Sequence, residues 1–426
     1  MPDVVVAGGG WAGCAASLAA RKMGARVALL EKTDQLLGTG LVGGIMRNNG
    51  RFTAAEELRC LGAPELIDLT DSVARHREVR FPGHNHATLY DVSLVEPGVR
   101  ALLTSAGVEV FLETRAVDLR RSGGHLEAVV AEGGREFPGD AFVETTGTAG
   151  PQGNCLRYGH GCVMCILRCP AFGPRVSLAA KAGVPERVGI TSKGTLGSMS
   201  GSCKLLKDSL STEVRQVLDD RGVWVLALPR HLRAEEKLPM KACQQYALPE
   251  FSDNLVLLDT GHAKMMTSYF PLEFLRSVPG LENARYEDPY AAGRGNSMRY
   301  FSMAPRDSTL RVEGLANLFC AGEKCGPYVG HTEAIATGSL AGHNAARLAY
   351  GEELLKIPQG LAVGLAVWMV GREMETEEGI RKKYTFSGSF LFDAMKERGL
   401  YSTDLDTIER RVRESGVQGV FSEPLR

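Results

Sequence analysis

The chain carries almost no net charge, no long apolar run, no internal repeat and no low-complexity tract. Each absence removes a class of function. Lys and Arg total 49 against 50 Asp and Glu, a formal charge of −1. No global field therefore draws the chain to nucleic acid or to a membrane surface. The longest smooth apolar stretch, Leu361 to Val370, is too short to span a bilayer, which takes about 20 residues, and reads as a buried helix. No secretory leader is legible, because the N-terminus enters a strand at once; the expected compartment is cytoplasmic. Ten cysteines in 426 residues do not make a disulfide framework. They are expected as reduced thiols, the clustered ones with metal or redox roles. The 44% hydrophobic and 23% charged residues suit a soluble globular protein of two or three domains.

What is abundant is glycine, 50 residues in all, and its first cluster is the most informative. Val4-Val5-Val6-Ala7 reads as a buried strand. Gly8-Gly9-Gly10-Trp11-Ala12-Gly13 follows, and Cys14 to Met23 reads as a small-residue helix. A second apolar run, Ala25 to Leu30, ends in Glu31. That is strand, Gly-x-Gly-x-x-Gly, helix, strand, acid: a dinucleotide-binding fingerprint with its full context. Gly8 permits the tight turn, Gly10 lets the backbone approach a pyrophosphate, and Gly13 lets the helix pack close to the strand. The helix N-terminus offers N–H groups and a positive dipole end to phosphates. Glu31 is placed to accept hydrogen bonds from an adenosine ribose.

Glycines concentrate again over residues 36–60, including Gly38-Thr39-Gly40 and Gly43-Gly44. The spacing suggests a loop pressed against a ligand. Val99 to Ser105 is a helix candidate. Val108 to Leu112, Thr114 to Leu119 and Leu126 to Ala131 are strand candidates, the last two turned by Gly123-Gly124. Ala141 to Thr146 runs into Gly147 and Gly150, and Leu318 to Ala321 runs into Gly322. His331 to Tyr350 reads as a long helix. Three strand-to-glycine junctions thus lie near residues 8, 147 and 322. In a doubly wound sheet such ends converge on one crevice, and a ligand threaded across all three fits FAD better than NAD. The expected fold is α/β: a doubly wound, Rossmann-like FAD-binding domain of the glutathione-reductase type. Residues 1–150 and 311–350 form its two parts. Residues 151–310, which lack the β-α-β rhythm, form an inserted α+β substrate and cysteine-cluster domain. Residues 351–426 form a helical C-terminal region.

One segment resembles a known family. Pro279-Gly280-Leu281-Glu282-Asn283-Ala284, Pro289-Tyr290-Ala291, Gly314-Leu315-Ala316-Asn317-Leu318-Phe319 and Ala321-Gly322-Glu323-Lys324 carry the match. Gly326, Gly330-His331-Thr332-Glu333-Ala334 and Ala336 to Ala346 complete it. This pattern resembles the glucose-inhibited division protein A flavoproteins, which include tRNA-uridine modifying enzymes and folate- and FAD-dependent tRNA methyltransferases. The resemblance implies FAD extended across the first domain, with Gly322 and Glu323 beside the ribitol and pyrophosphate. It also implies a helix starting at His331 whose N-terminus points at the flavin ring, where the macrodipole stabilises the charge of reduced flavin. The cofactor contacts expected are Gly8, Gly10, Trp11, Ala12, Gly13, Glu31, Lys32, Gly38, Thr39, Val117, Thr146 and Gly147 in the first part. In the second part they are Gly322, Glu323, His331, Thr332, Glu333 and Ala334. Two features depart from the family: Glu323 stands where glutamine is usual, and about 75 residues follow the match.

The second distinctive feature is Cys155-x6-Cys162-x2-Cys165-x3-Cys169-Pro170. Its last three cysteines have the spacing of a ferredoxin run that holds [4Fe–4S] clusters. Four thiolates also suit tetrahedral zinc. A redox dithiol or single catalytic thiol at Cys162 or Cys165 is a third reading, and plain packing a fourth. Cys325, after the Gly322 turn, and His331 are further catalytic candidates. Cys14, Cys60 and Cys320 read as packing residues. Arg168, Arg175, Arg294, Arg299 and Arg306 are candidates for an anionic substrate, and Arg381-Lys382-Lys383 reads as a solvated helix face. These features are consistent with an FAD-dependent oxidoreductase that moves hydride or electrons through flavin N5, with an iron–sulfur cluster or thiols as relay. NAD(P)H as electron donor and a homodimer remain open. Its partner is expected to be a small molecule or an electron-transfer protein. The alternative is a flavin- and folate-dependent transferase that modifies an RNA uridine. Near-zero charge and the short tail make nucleic acid the less expected partner.

Overall fold

The computed structural model describes residues 1–147, 168–191, 193–200, 203–267, 270–287 and 297–422. Five short strands form its central sheet: β1 (Asp3–Ala7), β2 (Arg26–Leu30), β3 (Glu109–Phe111), β4 (Ala141–Glu144) and β5 (Leu318–Cys320). Their order is β5-β4-β1-β2-β3, and every neighbouring pair is parallel. Parallel strands are covered on both faces, so they read as unbroken apolar runs. Val4, Val5 and Val6 of β1 and Ala141, Phe142 and Val143 of β4 are accordingly all buried. This is the expected doubly wound α/β arrangement, and the three strand-to-glycine junctions meet at one edge of the sheet.

Helix α1 (Trp11–Lys22) links β1 to β2, and α2 (His331–Ala349) follows β5. The two helices touch backbone to backbone. A Cβ at Gly338 would overlap the carbonyl of Ala12, and one at Gly342 the carbonyl of Ala16. A Cβ at Gly13 would overlap the carbonyl of Gly8. Only glycine allows both approaches, and together they bring α1 and α2 side by side over the end of the sheet.

The remaining elements differ from the sequence expectation in extent. The helix expected from Val99 begins earlier, at Val92, and accommodates Pro97 in its first two turns. The hairpin turned by Gly123-Gly124 pairs Ala116–Ser122 with His125–Ala131, and Glu136–Pro138 adds a third strand. The glycine-rich segment holds a 3-10 turn at Gly38–Val42 and a two-residue strand at Ile45–Met46 that pairs with His84–Tyr90, and Gly50–Cys60 is a helix.

A four-stranded antiparallel sheet (Cys203–Leu205, Ala263–Met265, Asn254–Asp259, Val223–Ala227) stands beyond the crevice with its own apolar core. The strands Ala74–Phe81 and His84–Tyr90, early in sequence, pack against this sheet. Val79, Phe81 and Leu89 share an apolar cluster with Phe251, Val256, Leu258 and Met266.

The C-terminal region is helical (Ala362–Glu373, Ser389–Glu397, Leu405–Glu414) and fastened to the first part of the chain. Glu57 caps Ala362–Glu373, accepting from the N–H groups of Ala362 (2.9 Å) and Val363 (3.0 Å). The apolar run from Leu361 lies in this buried helix, and no helix among the described residues is long and apolar enough to cross a membrane. Lys382 pairs with Glu373 and Glu378, but Lys383 departs from the expected solvated face. It is buried with its Nζ 4.7 Å from the Phe301 ring centre, and burial pushes its pKa down to about 8.

Desolvation favours the neutral form of three histidines, His84 and His343 buried and His331 half-buried. Burial pushes His84 and His343 down to about 3 and His331 well below its ordinary value. Neither ring nitrogen of His343 has a hydrogen-bond partner among the described residues; its ring stands edge-on to Phe421. Unfolded, all three titrate near 6.5. Below that pH the unfolded chain therefore binds more protons than the folded one, and stability falls. Each histidine is expected to contribute up to about 1.4 kcal/mol per pH unit over that range. Denaturant midpoints at about pH 7.5 and 5.5 should therefore separate, and His343→Phe should narrow the gap by about one histidine's share. An unchanged gap would assign the acid sensitivity to other groups.

Candidate functional site

The C-terminal ends of β1, β4 and β5 open into a cleft of about 1670 Å³, its solvent-open mouth included. Its floor is the glycine fingerprint. Gly8 has φ +107°, and a Cβ there would meet the Thr145 carbonyl oxygen at 2.5 Å, so the turn after β1 requires glycine. Gly10 differs. Its φ of −71° suits any residue, and a Cβ would meet no protein atom within 4 Å. The space above Gly10 is the cleft itself. Gly10 is also the N-cap of α1 and has no side chain to occupy the first-turn N–H groups, leaving them for a ligand. Gly38 and Gly147 also line the cleft with open space where a Cβ would stand.

Glu31 ends β2 at the cleft wall. Its Oε2 accepts from Gly9 N–H (2.7 Å) and its Oε1 from Thr33 N–H (2.9 Å). Both oxygens are thereby fixed and keep a second lone pair for a ribose hydroxyl. Trp11 lies 5.5 Å from the His331 ring and edge-on to Tyr90, and its Nε1 has no partner among the described residues. His331 Nδ1 is 3.1 Å from Tyr90 Oη. The loop 38–44 presses on both rings: a Cβ at Gly40 would meet Trp11 Nε1 at 2.5 Å, and one at Gly43 would overlap the His331 ring. Lys264 holds this loop by donating its Nζ to the carbonyls of Val42 and Gly43. Burial pushes the Lys264 amine down to about 7.

The opposite wall comes from a segment in which the sequence offered no motif. Lys241 donates Nζ to the carbonyls of Tyr246 (3.1 Å) and Met266 (2.8 Å), and burial pushes it down to about 8. Cys243, Gln245 and Tyr246 follow it along the cleft. The half-buried Cys243 thiol lies close enough to act electrostatically on both lysines. Gln244–Tyr246 is a single 3-10 turn with no periodicity to detect, and the denser cluster near residue 160 drew attention from a lone cysteine.

Two buried charge networks brace the cleft. Arg51 pairs with Glu333 (3.1 Å) and donates to the Val329 carbonyl and Thr385; Glu333 also accepts from Thr385 and Phe386 N–H. At the end of β4, Glu144 accepts from Leu178 and Ala179 N–H and faces Lys324 (3.5 Å) and Arg175 (3.9 Å); Glu186 pairs with both cations. These cations hold the Glu144 carboxyl below its ordinary range. Glu323 forms an ion pair with Arg299 at the cleft.

The sequence candidates distribute as follows. Gly8, Gly10, Trp11, Ala12, Glu31, Lys32, Gly38, Thr39, Thr146, Gly147, Gly322, Glu323, His331 and Ala334 line the cleft. Gly13, Thr332 and Glu333 stand behind its wall in packing and bracing roles. Thr114, Arg115 and Ala116 form the wall where Val117 was expected. Cys325, a catalytic candidate, does not line the cleft: it is fully buried, donates Sγ–H to the Gly322 carbonyl (3.2 Å), and is pushed up to about 11 by burial. Cys155, Cys162 and Cys165 lie outside the described residues, as does Arg294. Cys169 opens the short helix Cys169–Phe172. No group of three or more potential metal ligands occurs among the described residues. Of the arginines, Arg175 and Arg299 line the cleft, Arg168 pairs with Asp34, and Arg306 is buried behind the Cys325 carbonyl.

Residues 3–231 and 255–353 match the family described as glucose inhibited division protein A. The chain is 26% identical over 484 aligned residues to the tRNA uridine 5-carboxymethylaminomethyl modification enzyme MnmG of Granulibacter bethesdensis, spanning 98% of this chain and 71% of that protein. Among solved structures, GidA of Aquifex aeolicus superposes with a TM-score of 0.70 at 17% identity, covering 98% of this chain and 74% of the other. A geranylgeranyl bacteriochlorophyll reductase-like protein of Thermoplasma acidophilum gives 0.50 at 11% identity, covering 97% and 99%. Both share the fold.

The glycine geometry separates ligand contact from folding. Gly10→Val should leave the denaturation midpoint nearly unchanged while abolishing FAD retention, because its side chain enters only the cleft. Gly13→Ala should lower the midpoint, because its Cβ meets the Gly8 carbonyl. Glu31→Ala should weaken FAD by about 1.5–3 kcal/mol, the size of a hydrogen bond to a charged group. Denaturant melts check the two glycine midpoints and titration of apo-protein with FAD checks the affinities; full FAD affinity in Gly10→Val would remove the cleft floor from the binding site.

Proposed function

The chain belongs to the glucose inhibited division protein A family, and on that footing we propose that it is an FAD-dependent enzyme that modifies a uridine of tRNA at C5. The carrying observation is that the family match covers the cleft floor and reaches Lys264 of the opposite wall, while the 241–246 turn lies between the two matched stretches. The relative whose name specifies a tRNA uridine 5-substitution aligns with 98% of this chain. This reverses the weighting drawn from net charge, under which RNA was the less expected partner and a small-molecule oxidoreductase the main reading.

The residues present fit FAD. Glu31 faces the ribose position, and the open Gly10 and uncapped α1 face the pyrophosphate. The N-terminus of α2, with Trp11 and His331, faces the ring. When bound, FAD supplies hydride and electron transfer. The chain's own chemistry lies on the opposite wall. C5 of uracil is a poor nucleophile until a thiol adds to C6. In this reading the Cys243 sulfur forms a bond to C6, and the C5–C6 pair moves toward C5 and O4. C5 then bonds an electrophilic one-carbon unit from a reduced folate. Loss of the C5 proton expels the folate nitrogen and leaves a methylene double-bonded to C5. An amine co-substrate then adds to that methylene, and the sulfur departs from C6 as the C5–C6 double bond re-forms. The amines of Lys241 and Lys264 provide positive charge beside the thiol and the developing enolate. His331, neutral by burial, leaves the dipole of α2 as the charge facing the ring.

Two measurements test this reading. The FAD-loaded protein should bind a tRNA transcript in a filter assay, with affinity falling as salt rises. A 5-fluorouridine RNA hairpin should cross-link to it on a denaturing gel, and Cys243→Ser should abolish the cross-link while retaining FAD. Cross-linking that survives in Cys243→Ser would remove this thiol from the role. A protein that binds no tRNA at any salt would overturn the RNA reading and restore a small-molecule oxidoreductase.

A further inference from the structure

Gln245 sits two residues beyond Cys243 on the same turn of the cleft wall. It is only 3% exposed, and its Oε1 has no hydrogen-bond partner among the described residues. A buried amide oxygen without a partner is rare in a folded protein and calls for a ligand or a water. The residue is also held on two sides. His84 accepts at Nδ1 from Asn48 Nδ2 (3.0 Å) and Asn49 Nδ2 (3.2 Å). Its proton is therefore on Nε2, which donates to the Gln245 carbonyl (3.0 Å). From the other side, a Cβ at Gly388 would stand 2.8 Å from Gln245 Cβ, so the chain there leaves the side chain no room to retreat. The result is a fixed base for an amide oxygen that has no partner among the described residues.

Building on the tRNA-uridine reading, we propose that Gln245 recognises the target uracil at its N3–H edge. Uracil presents an N–H donor at N3 flanked by carbonyl acceptors. A carboxamide presents the complement, an oxygen to accept from N3–H and an adjacent N–H to donate to a carbonyl. N3 lies directly across the ring from C6. A base whose C6 rests over the Cys243 sulfur therefore extends its N3 edge away from the thiol, toward the next side chain of the turn. The ring of Tyr246 follows on the same wall. Gln245 binds and orients the base; it takes no part in the bond changes at C5 and C6.

The test uses the FAD-loaded full-length chain and RNA hairpins carrying one loop uridine, or N3-methyluridine in its place. Kd is read by filter binding, and the flavin spectrum reports an intact cofactor site. Wild-type protein should bind the N3-methyl hairpin about tenfold more weakly, a loss on the scale of one good base contact. Gln245→Met should bind the uridine hairpin about tenfold more weakly and no longer distinguish the two. Gln245→Glu, of equal size, keeps the acceptor but loses the donor, so it should weaken binding while still discriminating. The wild-type comparison needs no substitution and stands whatever the variants' stability. Equal binding of both hairpins by wild type, or undiminished discrimination in Gln245→Met, would overturn the role of Gln245 alone. Wild-type protein that binds neither hairpin nor tRNA would overturn the RNA reading itself.

Discussion

The arrangement of the molecule depends on one steric constraint, the contact of backbone with backbone around α1. Gly13 lets α1 lie against the turn that leaves β1, and Gly338 and Gly342 let α2 lie against α1. With side chains at these points the two helices would stand apart, near the usual 8–10 Å separation. Drawn together, they end side by side at the edge where β1, β4 and β5 finish. Two helix N-termini then open into one cleft, α1 at Gly10 and α2 at His331. The positive ends of the helices serve as anion sites without a formal charge.

A cleft floored by glycine backbone has little stiffness of its own, and the buried ion networks supply it. Arg51 and Glu333 join the helix Gly50–Cys60, the first turn of α2 and the segment 385–387. Glu144, Lys324, Arg175 and Glu186 join the end of β4, the turn after β5 and the segment 175–186. Burying such charges carries a desolvation cost that their attraction only partly offsets. Their gain is geometric. Each network ties segments that are distant in sequence, and each reaches the cleft wall through one arginine, Arg51 or Arg175. Glu57 at the head of Ala362–Glu373 extends the same device, making the C-terminal helices part of the frame around the cleft.

The legible part of the site was the part built from backbone. A glycine fingerprint, an acid at fixed spacing and strand-to-glycine junctions are local patterns, so Gly10, Glu31, Gly147 and Gly322 could be named before the fold was known. The opposite wall is made by side chains that long-range pairing brings in. Lys264 comes from a strand, and Cys243 and Gln245 come from a single 3-10 turn, with no period in sequence to mark them. Strands 74–90 were invisible for a related reason: they serve a sheet contributed by residues 203–265, so their alternation answers to a partner far along the chain. Lys383 shows the converse failure. Three consecutive basic residues suggest a solvated face, yet the chain turns after Arg381 and carries the third inward over Phe301.

Net charge says little about the cleft, and the reason is range. Salt screens exposed charges beyond about 8 Å, so a ligand in the cleft responds to its walls and hardly to the total over 426 residues. Among the described residues those walls carry Lys32, Arg51, Arg115, Arg175, Lys241, Lys264 and Arg299 against Glu31 and Glu323. Several of these cations are partly neutralised by partners behind the wall, and Lys264 is only partly protonated near neutral pH. Even so, the inward face is basic while the molecule as a whole is neutral. A polyanion that reached the rim would meet a local potential that the total of −1 conceals. Without a strong global field, selection among polyanions falls to close contacts at the bottom of the cleft rather than to long-range steering. In the tRNA reading proposed above, the burden of recognition falls on the polar groups of the 241–246 turn.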